Sequence, residues 1–311
     1  MRHLFIVNPT AGGKDKTAEV REKVQAAFRC RRESYEIYVT KAPMDAAARI
    51  RAEAADGEAL RVYACGGDGT FNECVCGAAL LPNVAVCPFP TGTGNDFCRM
   101  FGEESECYRD LDAVLDGWET SIDLIRVNDR YSANICSVGI DARIGTQVDR
   151  YKRLPLVTGS GAYLLSTVVN VIKGVTAHYV VELAGERIDA RQTMICVCNG
   201  RWYGGGFNPV PDALLDDGLL DVLLVRPVTR LQVAAVIGKY KAGRYREVPE
   251  LIRHCRVPEL RVRCDKPSAV NVDGELLIAE DVVFRVSPHK IRFFHPKGLA
   301  WEASPAAVKN L

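Results

Sequence analysis

The sequence contains no apolar run of the roughly eighteen residues that a helix needs to cross a bilayer. The first apolar stretch ends at Val7, where NPTAGG begins, and is too short for a signal peptide. Charge of one sign is lacking as well, because 40 Lys and Arg residues face 39 Asp and Glu residues, for a net charge of +1. This balance excludes a global field that would recruit nucleic acid. We therefore predict a cytoplasmic protein with no transmembrane segment and no nucleic-acid partner.

Several common site signatures are also absent. The 12 cysteines include no CxxC pair, and the two CxC pairs, Cys74 with Cys76 and Cys196 with Cys198, lack a matching second half at zinc-finger spacing. Most of the cysteines lie in apolar runs, which is typical of buried thiols. Neither GxxxxGK[ST] nor a GxGxxG after the first strand occurs, which excludes a Walker loop and the dinucleotide fingerprint.

The first third of the chain repeats one unit: an apolar strand pattern, a glycine-rich loop and a helical pattern. HLFIV leads into NPTAGGKDK, LRVYAC into GGDGT, and VAVCPFP into TGTGNDF, while YEIYVT supplies a further strand. This alternation predicts a Rossmann-like three-layer α/β nucleotide-binding domain over residues 1–122. The three loops should then lie together at the carboxyl edge of a parallel sheet.

Strand patterns dominate after about Ser121. They include IDLIRVN, RYSANICSVGI, HYVVELAG, RQTMICVCN, LLDVLLVR, ELRVRCD, AVNVDGELL and VVFRVSPHKIRFF, interrupted by helical patterns around GAYLLSTVVNVIKG and TRLQVAAVIGKYKAG. We predict an antiparallel β-sandwich domain over residues 123–293, with residues 294–311 packing back on the first domain. No low-complexity linker separates the two, so we expect rigid domains that meet at a cleft.

The three loops carry features of a phosphate site. Glycine-rich loops that feed helices expose backbone N–H groups to anions. Asp68, Asn95 and Asp96 place acceptors in the same loops, where phosphate would repel them unless a cation lies between. A magnesium nucleotide satisfies both conditions. Asn95 and Asp96 could also cap the following helix, and Lys14 is either a phosphate ligand or a solvated lysine.

The motifs NPTAGG, GGDGTFNE at 66–73 and PTGTGNDFCR at 90–99 resemble those of the diacylglycerol kinase catalytic domain family. That family includes bacterial soluble lipid kinases and is related to sphingosine and ceramide kinases within the NAD kinase-like superfamily. The likeness continues through SIDLIRVN, SVGIDARI, GGGFNPVPDALLDDGLLDVLLV and NVDGELL, so it covers nearly the whole chain.

The resemblance implies roles for individual residues. The nucleotide site is implied to contain Asn8, Pro9, Thr10, Lys14, Gly66, Gly67, Gly69, Thr70, Glu73, Thr91, Gly92, Thr93, Asn95, Arg99 and Asp123. The catalytic and magnesium-linked carboxylates are implied to be Asp68, Asp96, Asp273 and Glu275. Among these, Glu275 is the better candidate for the base.

The stretch LLDDGL resembles a second, structural magnesium site of bacterial members. One aspartate and flanking carbonyls bind the ion there, which points to Leu214, Asp217 and Leu219. A plain Asp-Gly turn is the alternative interpretation.

The resemblance implies an ATP- and Mg²⁺-dependent lipid kinase, with diacylglycerol as the first candidate acceptor. NAD kinase-type phosphorylation of a soluble acceptor and an inactive nucleotide- or lipid-binding homologue are the alternatives. A lipid acceptor implies transient, peripheral contact with the inner face of the membrane, for which RYKR at 150–153 and KYKAGRYR at 239–246 are candidate patches. A homodimer is left open.

Overall fold

The chain folds into two units, seen in a computed structural model that describes residues 1–92, 95–139 and 176–301. The first unit comprises Met1–Leu124, Leu215–Asp217 and Ser287–Leu311. The second comprises Ile125–Leu214 and Gly218–Val286.

The first unit is built on a six-stranded sheet in the order β2-β1-β3-β4-β16-β5. Its strands are β1 (Arg2–Val7), β2 (Ser34–Val39), β3 (Leu60–Gly66), β4 (Val84–Pro90), β5 (Trp118–Ile122) and β16 (Ile291–His295). β2, β1, β3, β4 and β16 run parallel, and β5 pairs antiparallel with β16. β4 is buried along its whole length, and β1 and β3 at nearly every position, which is why their sequences read as continuous apolar runs.

The helices of the first unit are α1 (Thr17–Ala27), α2 (Asp45–Glu53), α3 (Asp68–Ala78), α4 (Asp96–Arg99) and α5 (Leu111–Leu115). Two of them, α2 and α3, touch closely. A Cβ on Gly77 of α3 would lie 2.8 Å from the Cα of Ala47 in α2, so only glycine permits this packing. Because α3 directly follows β3, the contact helps to fix where the second glycine loop ends.

The second unit is an antiparallel β-sandwich whose described residues form two buried apolar clusters. Its strands are β6 (Ile125–Val127), β7 (Arg130–Ser132), β8 (Ile135–Gly139), β9 (Ala177–Leu183), β10 (Glu186–Gln192), β11 (Met194–Cys198), β12 (Leu220–Val225), β13 (Ile252–Val257), β14 (Glu259–Val272) and β15 (Glu275–Val286). The order is β13-β12-β11-β8-β14-β15-β6-β7, with β9 between β10 and β14. β14 shifts register between Arg263 and Ser268, so its first part pairs with β9 and its last part with β8. The helix α6 (Arg230–Lys241) starts with a capping box at Thr229 and Gln232.

The predicted fold class is confirmed: a parallel α/β unit and an antiparallel β-sandwich. The predicted division differs in detail. Asp123 and Leu124 lie with the first unit, and so does the chain from Ser287 onward rather than from 294. The returning strand β16 joins β4 and β5 in the first sheet, which explains why its residues belong there.

Several strand predictions were wrong in their limits. VVFRVSPHKIRFF is two strands in different sheets, because Pro288 cannot donate to a ladder and the chain leaves β15 at this point. ELRVRCD and AVNV are one long strand, β14, across an irregular register. β5 and β13 were not predicted, since their polar sequences, WETSI and IRHCRV, lack a clean apolar alternation. No helix in residues 1–92, 95–139 and 176–301 is long and apolar enough to span a membrane.

Candidate active site

Three glycine loops meet at the carboxyl edge of the first sheet, backbone against backbone. A Cβ on Gly12, whose φ is 71°, would lie 3.2 Å from the Cα of Gly92. A Cβ on Gly92 would lie 3.1 Å from the backbone N of Gly67. The carbonyl of Gly66 accepts the N–H groups of Thr91 and Gly92 at 3.0 and 3.1 Å. The glycines therefore let the loops approach each other as well as any ligand.

Asn8 ties the first loop to the second. Its Oδ1 accepts the backbone N–H and the hydroxyl of Thr10 at 3.0 and 2.8 Å, and its Nδ2 donates to the hydroxyl of Thr70 at 3.2 Å. Thr70 is buried directly behind Gly66, where an added Cβ would lie 2.2 Å from the Thr70 hydroxyl. This bonding fixes NPT against GGDGT before any ligand is present.

Asp68 ties the second loop to the third. One carboxylate oxygen accepts the N–H of Asp96 at 3.0 Å, and the other accepts the N–H of Phe97 at 3.1 Å. These two N–H groups belong to the first turn of α4, so Asp68 caps that helix from another loop. The rings of Phe71 and Phe97 pack beside it, 4.6 Å apart. Removal from water raises the pKa of Asp68, while the two N–H groups and Arg99 act in the opposite direction.

The capping alternative considered for Asn95 and Asp96 is therefore corrected. Asn95 stands at the N-cap position but its side chain makes no cap bond; its Nδ2 donates instead to the carbonyl of Gly92 at 2.9 Å. Asp96 is buried, and its carboxylate lies 3.3 Å from Nε of the exposed Arg99. The cap comes from Asp68, whose loop reaches the helix through the fold.

The remaining predicted nucleotide residues take different positions. Gly69 has open space where a Cβ would stand, whereas Thr91 has a buried hydroxyl with no hydrogen-bond partner in the described part of the chain. Lys14 is exposed, Pro9 and Glu73 are half-buried, and Thr93 lies outside the described residues. An unpartnered hydroxyl among bare backbone loops fits a cradle for an anionic ligand.

Thr40 was missed by the sequence reasoning. It follows β2 directly, at the same edge as the other loops, and its N–H and hydroxyl both donate to the carbonyl of Val7 at 2.9 and 3.4 Å. Its place after a strand that pairs with β1 was the available signal, but the loop there contains no glycine.

Asp123 lies elsewhere in the first unit, beside the returning chain. The buried carboxylate of Asp123 is 3.2 Å from Nζ of Lys290, which also donates to the carbonyl of Asp216 at 2.6 Å. The N–H of Asp123 donates to the carbonyl of Leu215 at 2.6 Å. Lys290, unnoticed in the sequence, therefore holds the segment 215–217 to Asp123.

No group of three or more His, Cys, Asp or Glu side chains within the described ranges is arranged to hold a metal ion. A site made by protein ligands alone is thus not formed at Asp68 and Asp96. Each Asp68 oxygen accepts one N–H and retains a lone pair, a donor set that suits a Mg²⁺ ion shared with nucleotide phosphates. For the second site, Asp217 lies in the first unit and Leu214 and Leu219 in the second, and their metal role stays a prediction.

In the second unit, Asp273 is the first residue of the two-residue hairpin turn between β14 and β15, and Glu275 is the first residue of β15. Asp273 and Gly274 have φ angles of 48° and 93°, as the turn requires. The Asp273 carboxylate accepts the N–H groups of Ala133, Asn134 and Ile135, and desolvation raises its pKa to about 6. Glu275, by contrast, is exposed at the start of β15.

Two family models match the chain. The diacylglycerol kinase catalytic domain matches residues 2–127, which include all three glycine loops. The YegS C-terminal NAD kinase beta sandwich-like domain matches residues 134–295, which include Asp273 and Glu275. The chain belongs to the YegS-like lipid kinase family. Its two units correspond to the two domains of that family.

Relatives in this family align over nearly the full chain. A protein of Stenotrophomonas maltophilia strain K279a named "Probable lipid kinase YegS-like" is 30% identical, covering 96% of this chain and 97% of its own. A protein of the same name from Pseudomonas aeruginosa strain UCBPP-PA14 is 32% identical, and the alignment covers 89% of this chain and 91% of that protein. A YegS-like lipid kinase takes its phosphoryl group from ATP and typically uses a divalent metal ion.

Solved structures agree with this fold. A diacylglycerol kinase from Bacillus anthracis strain Sterne superimposes with a TM-score of 0.69 at 21% identity, covering 96% of this chain and 98% of that one. A second structure from the same organism has a TM-score of 0.75 at 23% identity, with the same coverage. The family models and relatives confirm the family that the sequence resembles, and the solved structures confirm the fold.

Proposed function

We propose that this chain is an ATP-dependent lipid kinase that phosphorylates a lipid hydroxyl, with diacylglycerol as acceptor and phosphatidic acid as product. The observation that carries the proposal is the packing of three glycine loops at one sheet edge in a chain with YegS-like relatives over nearly its whole length. The Bacillus anthracis neighbour named as a diacylglycerol kinase adds support for the acceptor at the level of the fold.

In the proposed mechanism the first unit binds the nucleotide phosphates. The loops around Gly12, Gly67 and Gly92 supply backbone N–H groups, and the positive end of α3 begins at Asp68 within the second loop. Asn8 and Asp68 hold these loops in register, so little reorganisation is needed when ATP arrives. Positioning of this kind provides much of the catalysis in phosphoryl transfer.

The chemical step is an in-line displacement at the γ-phosphorus. The acceptor hydroxyl oxygen forms the new P–O bond, the bond to the β,γ-bridging oxygen breaks, and ADP leaves with that electron pair. Glu275 takes the hydroxyl proton. Its carboxylate is exposed at the end of a short turn and is therefore accessible for this role. Asp68 and Asp96 would hold Mg²⁺ together with the nucleotide phosphates, where the ion would supply positive charge against the developing negative charge.

The test is transfer of label from γ-labelled ATP in a mixture that contains a total lipid extract and NAD. We expect label in a lipid that migrates as phosphatidic acid. Asp68→Asn, which turns one N–H acceptor into a donor, should lose transfer, while Asp15→Asn, at an exposed position just before α1, should keep it. Label on NAD would replace the proposal with the NAD kinase alternative. ATP binding without transfer to either acceptor would indicate an inactive homologue.

Peripheral contact with a membrane is part of this proposal, because the acceptor lies in a bilayer. KYKAGRYR is a weak candidate for that contact: Lys239 pairs with Glu247 at 3.5 Å, Arg246 pairs with Asp212 at 2.9 Å, and Lys241 lies over the Phe207 ring. RYKR lies outside the described residues. Sedimentation with anionic liposomes that is lost at raised salt is expected; binding indifferent to lipid charge would contradict an electrostatic contact.

A further inference from the structure

The turn between β14 and β15 places a non-glycine residue in a left-handed conformation. Asp273 has a φ of 48°, a conformation that is unfavourable for an L-residue unless other contacts offset it. Gly274 follows at 93°, and its N–H donates to Oδ1 of Asn271 at 2.8 Å. The strands pair immediately on each side, Val272 with Glu275. The conformation of Asp273 therefore decides where Glu275 starts.

The side chain of Asp273 supplies the compensating contacts. One carboxylate oxygen accepts the N–H of Ile135 at 2.8 Å, and the other accepts those of Ala133 at 3.0 Å and Asn134 at 3.3 Å. The N–H of Asp273 donates back to the carbonyl of Ile135 at 3.2 Å. Three backbone N–H donors on its two oxygens commit most of the acceptor capacity of this carboxylate to holding the chain.

The segment that Asp273 binds is itself held on its other side. Asn199 Nδ2 donates to the carbonyl of Ala133, and the N–H groups of Asn199 and Gly200 donate to the carbonyl of Asn134, all at 2.9 Å. A Cβ on Gly200 would lie 2.0 Å from Oδ1 of Asn134, so the NG step of NGRWYGGGF requires glycine there. The turn is thus anchored to a segment that cannot easily shift.

We propose that Asp273 is a positioning residue that acts through Glu275: its carboxylate clamps the turn to residues 133–135 and so fixes the carboxylate of Glu275 for proton transfer. This inference rests on the proposed function and deepens it. It separates the two acidic residues of DGE, which the family resemblance takes together, into a clamp and a base. The clamp never touches the substrate.

The test is a double-mutant cycle on lipid phosphorylation. Asp273→Asn replaces one acceptor oxygen by an NH₂ donor with almost no change of size, and we expect kcat to fall by about 10²-fold while the KM for ATP stays within about twofold. In a Glu275→Gln background the same change should cause no further loss, because the clamp then has no base to position. Wild-type kcat in Asp273→Asn, or losses that multiply in the double variant, would overturn the proposal.

Two controls keep the result interpretable. Glu280→Gln, an exposed glutamate on the same strand, should leave kcat unchanged. If Asp273→Asn does not fold, Asn271→Ala removes the acceptor for Gly274 and is expected to show the same non-additivity with Glu275→Gln. If the wild-type chain phosphorylates no lipid, the proposed function fails separately. Amide exchange at Ala133–Ile135 then tests the clamp, with faster exchange expected in Asp273→Asn and unchanged exchange contradicting it.

Discussion

In each of the two units, one desolvated carboxylate accepts backbone N–H groups of another segment and holds that segment in place; we call this arrangement a tie. The two ties join residues at different separations along the chain. In the first unit, Asp68 binds the N–H groups of Asp96 and Phe97, 28 and 29 residues later in the chain. In the second, Asp273 binds N–H groups that lie 138 to 140 residues earlier. The first tie joins neighbouring loops of a repeated unit, and the second joins distant strands.

Hydrogen bonding and exposure together distinguish the acidic residues of this chain. A carboxylate whose oxygens already accept backbone N–H groups holds structure in place, whereas an exposed one at a turn remains available for chemistry. By that criterion Asp68 and Asp273 are ties and Glu275 is the candidate base, while the lone pair left on each Asp68 oxygen can still bind a metal ion. Variants of the residues involved are expected to show how similar the two ties are.

The largest effect is expected at the first tie. Asp68→Ala leaves the N–H groups of Asp96 and Phe97 without their acceptor, which should lower the free energy of unfolding by about 3 kcal/mol in a urea titration. Asp15→Ala removes a comparable bond, to the N–H of Thr17, at an exposed site and should cost much less, because water replaces it. Equal losses in the two variants would show that Asp68 is no special tie.

Acid should change the stability contributed by one titratable group in each unit, and the two changes should have opposite signs. Burial lowers the pKa of His3 to about 4, so the unfolded chain binds the proton first and stability is lost as pH falls from about 6.5 toward 4. The raised pKa of Asp273 acts the other way: the folded state binds its proton first, below about pH 6, so this group adds stability as pH falls.

Unfolding free energies at pH 7 and pH 5 separate the two groups. His3→Gln should remove about 2 kcal/mol of the acid-induced loss over that interval. Asp273→Asn should make the loss larger than in the wild type. An unchanged pH dependence in His3→Gln would contradict the contrast between the units.

A third tie is made by a cation, the ammonium group of Lys290. Lys290→Met leaves the buried Asp123 carboxylate and the Asp216 carbonyl without the ammonium and should cost about 1–2 kcal/mol, a value reduced because Lys290 itself is partly exposed. Lys290→Arg should recover part of this, and Lys297→Met, an exposed lysine of the same unit, should be nearly neutral. Proteolysis within 214–219 that is no faster in Lys290→Met would argue against its holding that segment.

The smallest effect concerns the contact between glycine loops. Gly12→Ala and Gly13→Ala both place alanine at positive φ, 71° and 76°, for a shared cost of about 1 kcal/mol. Only Gly12 meets a neighbour, the Cα of Gly92 at 3.2 Å, while Gly13 has open space. Thermal unfolding should therefore show a greater loss in Gly12→Ala. Identical losses would mean that the loops adjust freely.

Much of the first unit could be predicted from sequence because its organisation is local. A strand, a glycine loop and a helix recur within about 30 residues, and parallel strands bring their carboxyl ends to one edge. That logic predicts that Asn8, Gly67 and Gly92 lie together, as they do in the structure. It failed for Thr40, whose loop has no glycine to mark it.

The contacts of the carboxylates could not be predicted. The acceptor capacity of Asp68 is taken up by a helix start in the next loop, and that of Asp273 by residues 133–135, which sequence distance hides. The role of Lys290 depends on β16 returning to the first sheet after Pro288. Motif spacing predicts which acidic residues belong to the site, and the fold shows which of them have oxygens that accept backbone N–H groups.

The central claim is that Glu275 performs the proton transfer while Asp68 and Asp273 hold loops. The most direct measurement is turnover of diacylglycerol by Glu275→Gln, with ATP affinity measured in parallel and Glu280→Gln as the matched control. We expect Glu275→Gln to keep only residual turnover and to bind ATP as the wild type does, while Glu280→Gln keeps both. Full turnover in Glu275→Gln would contradict it.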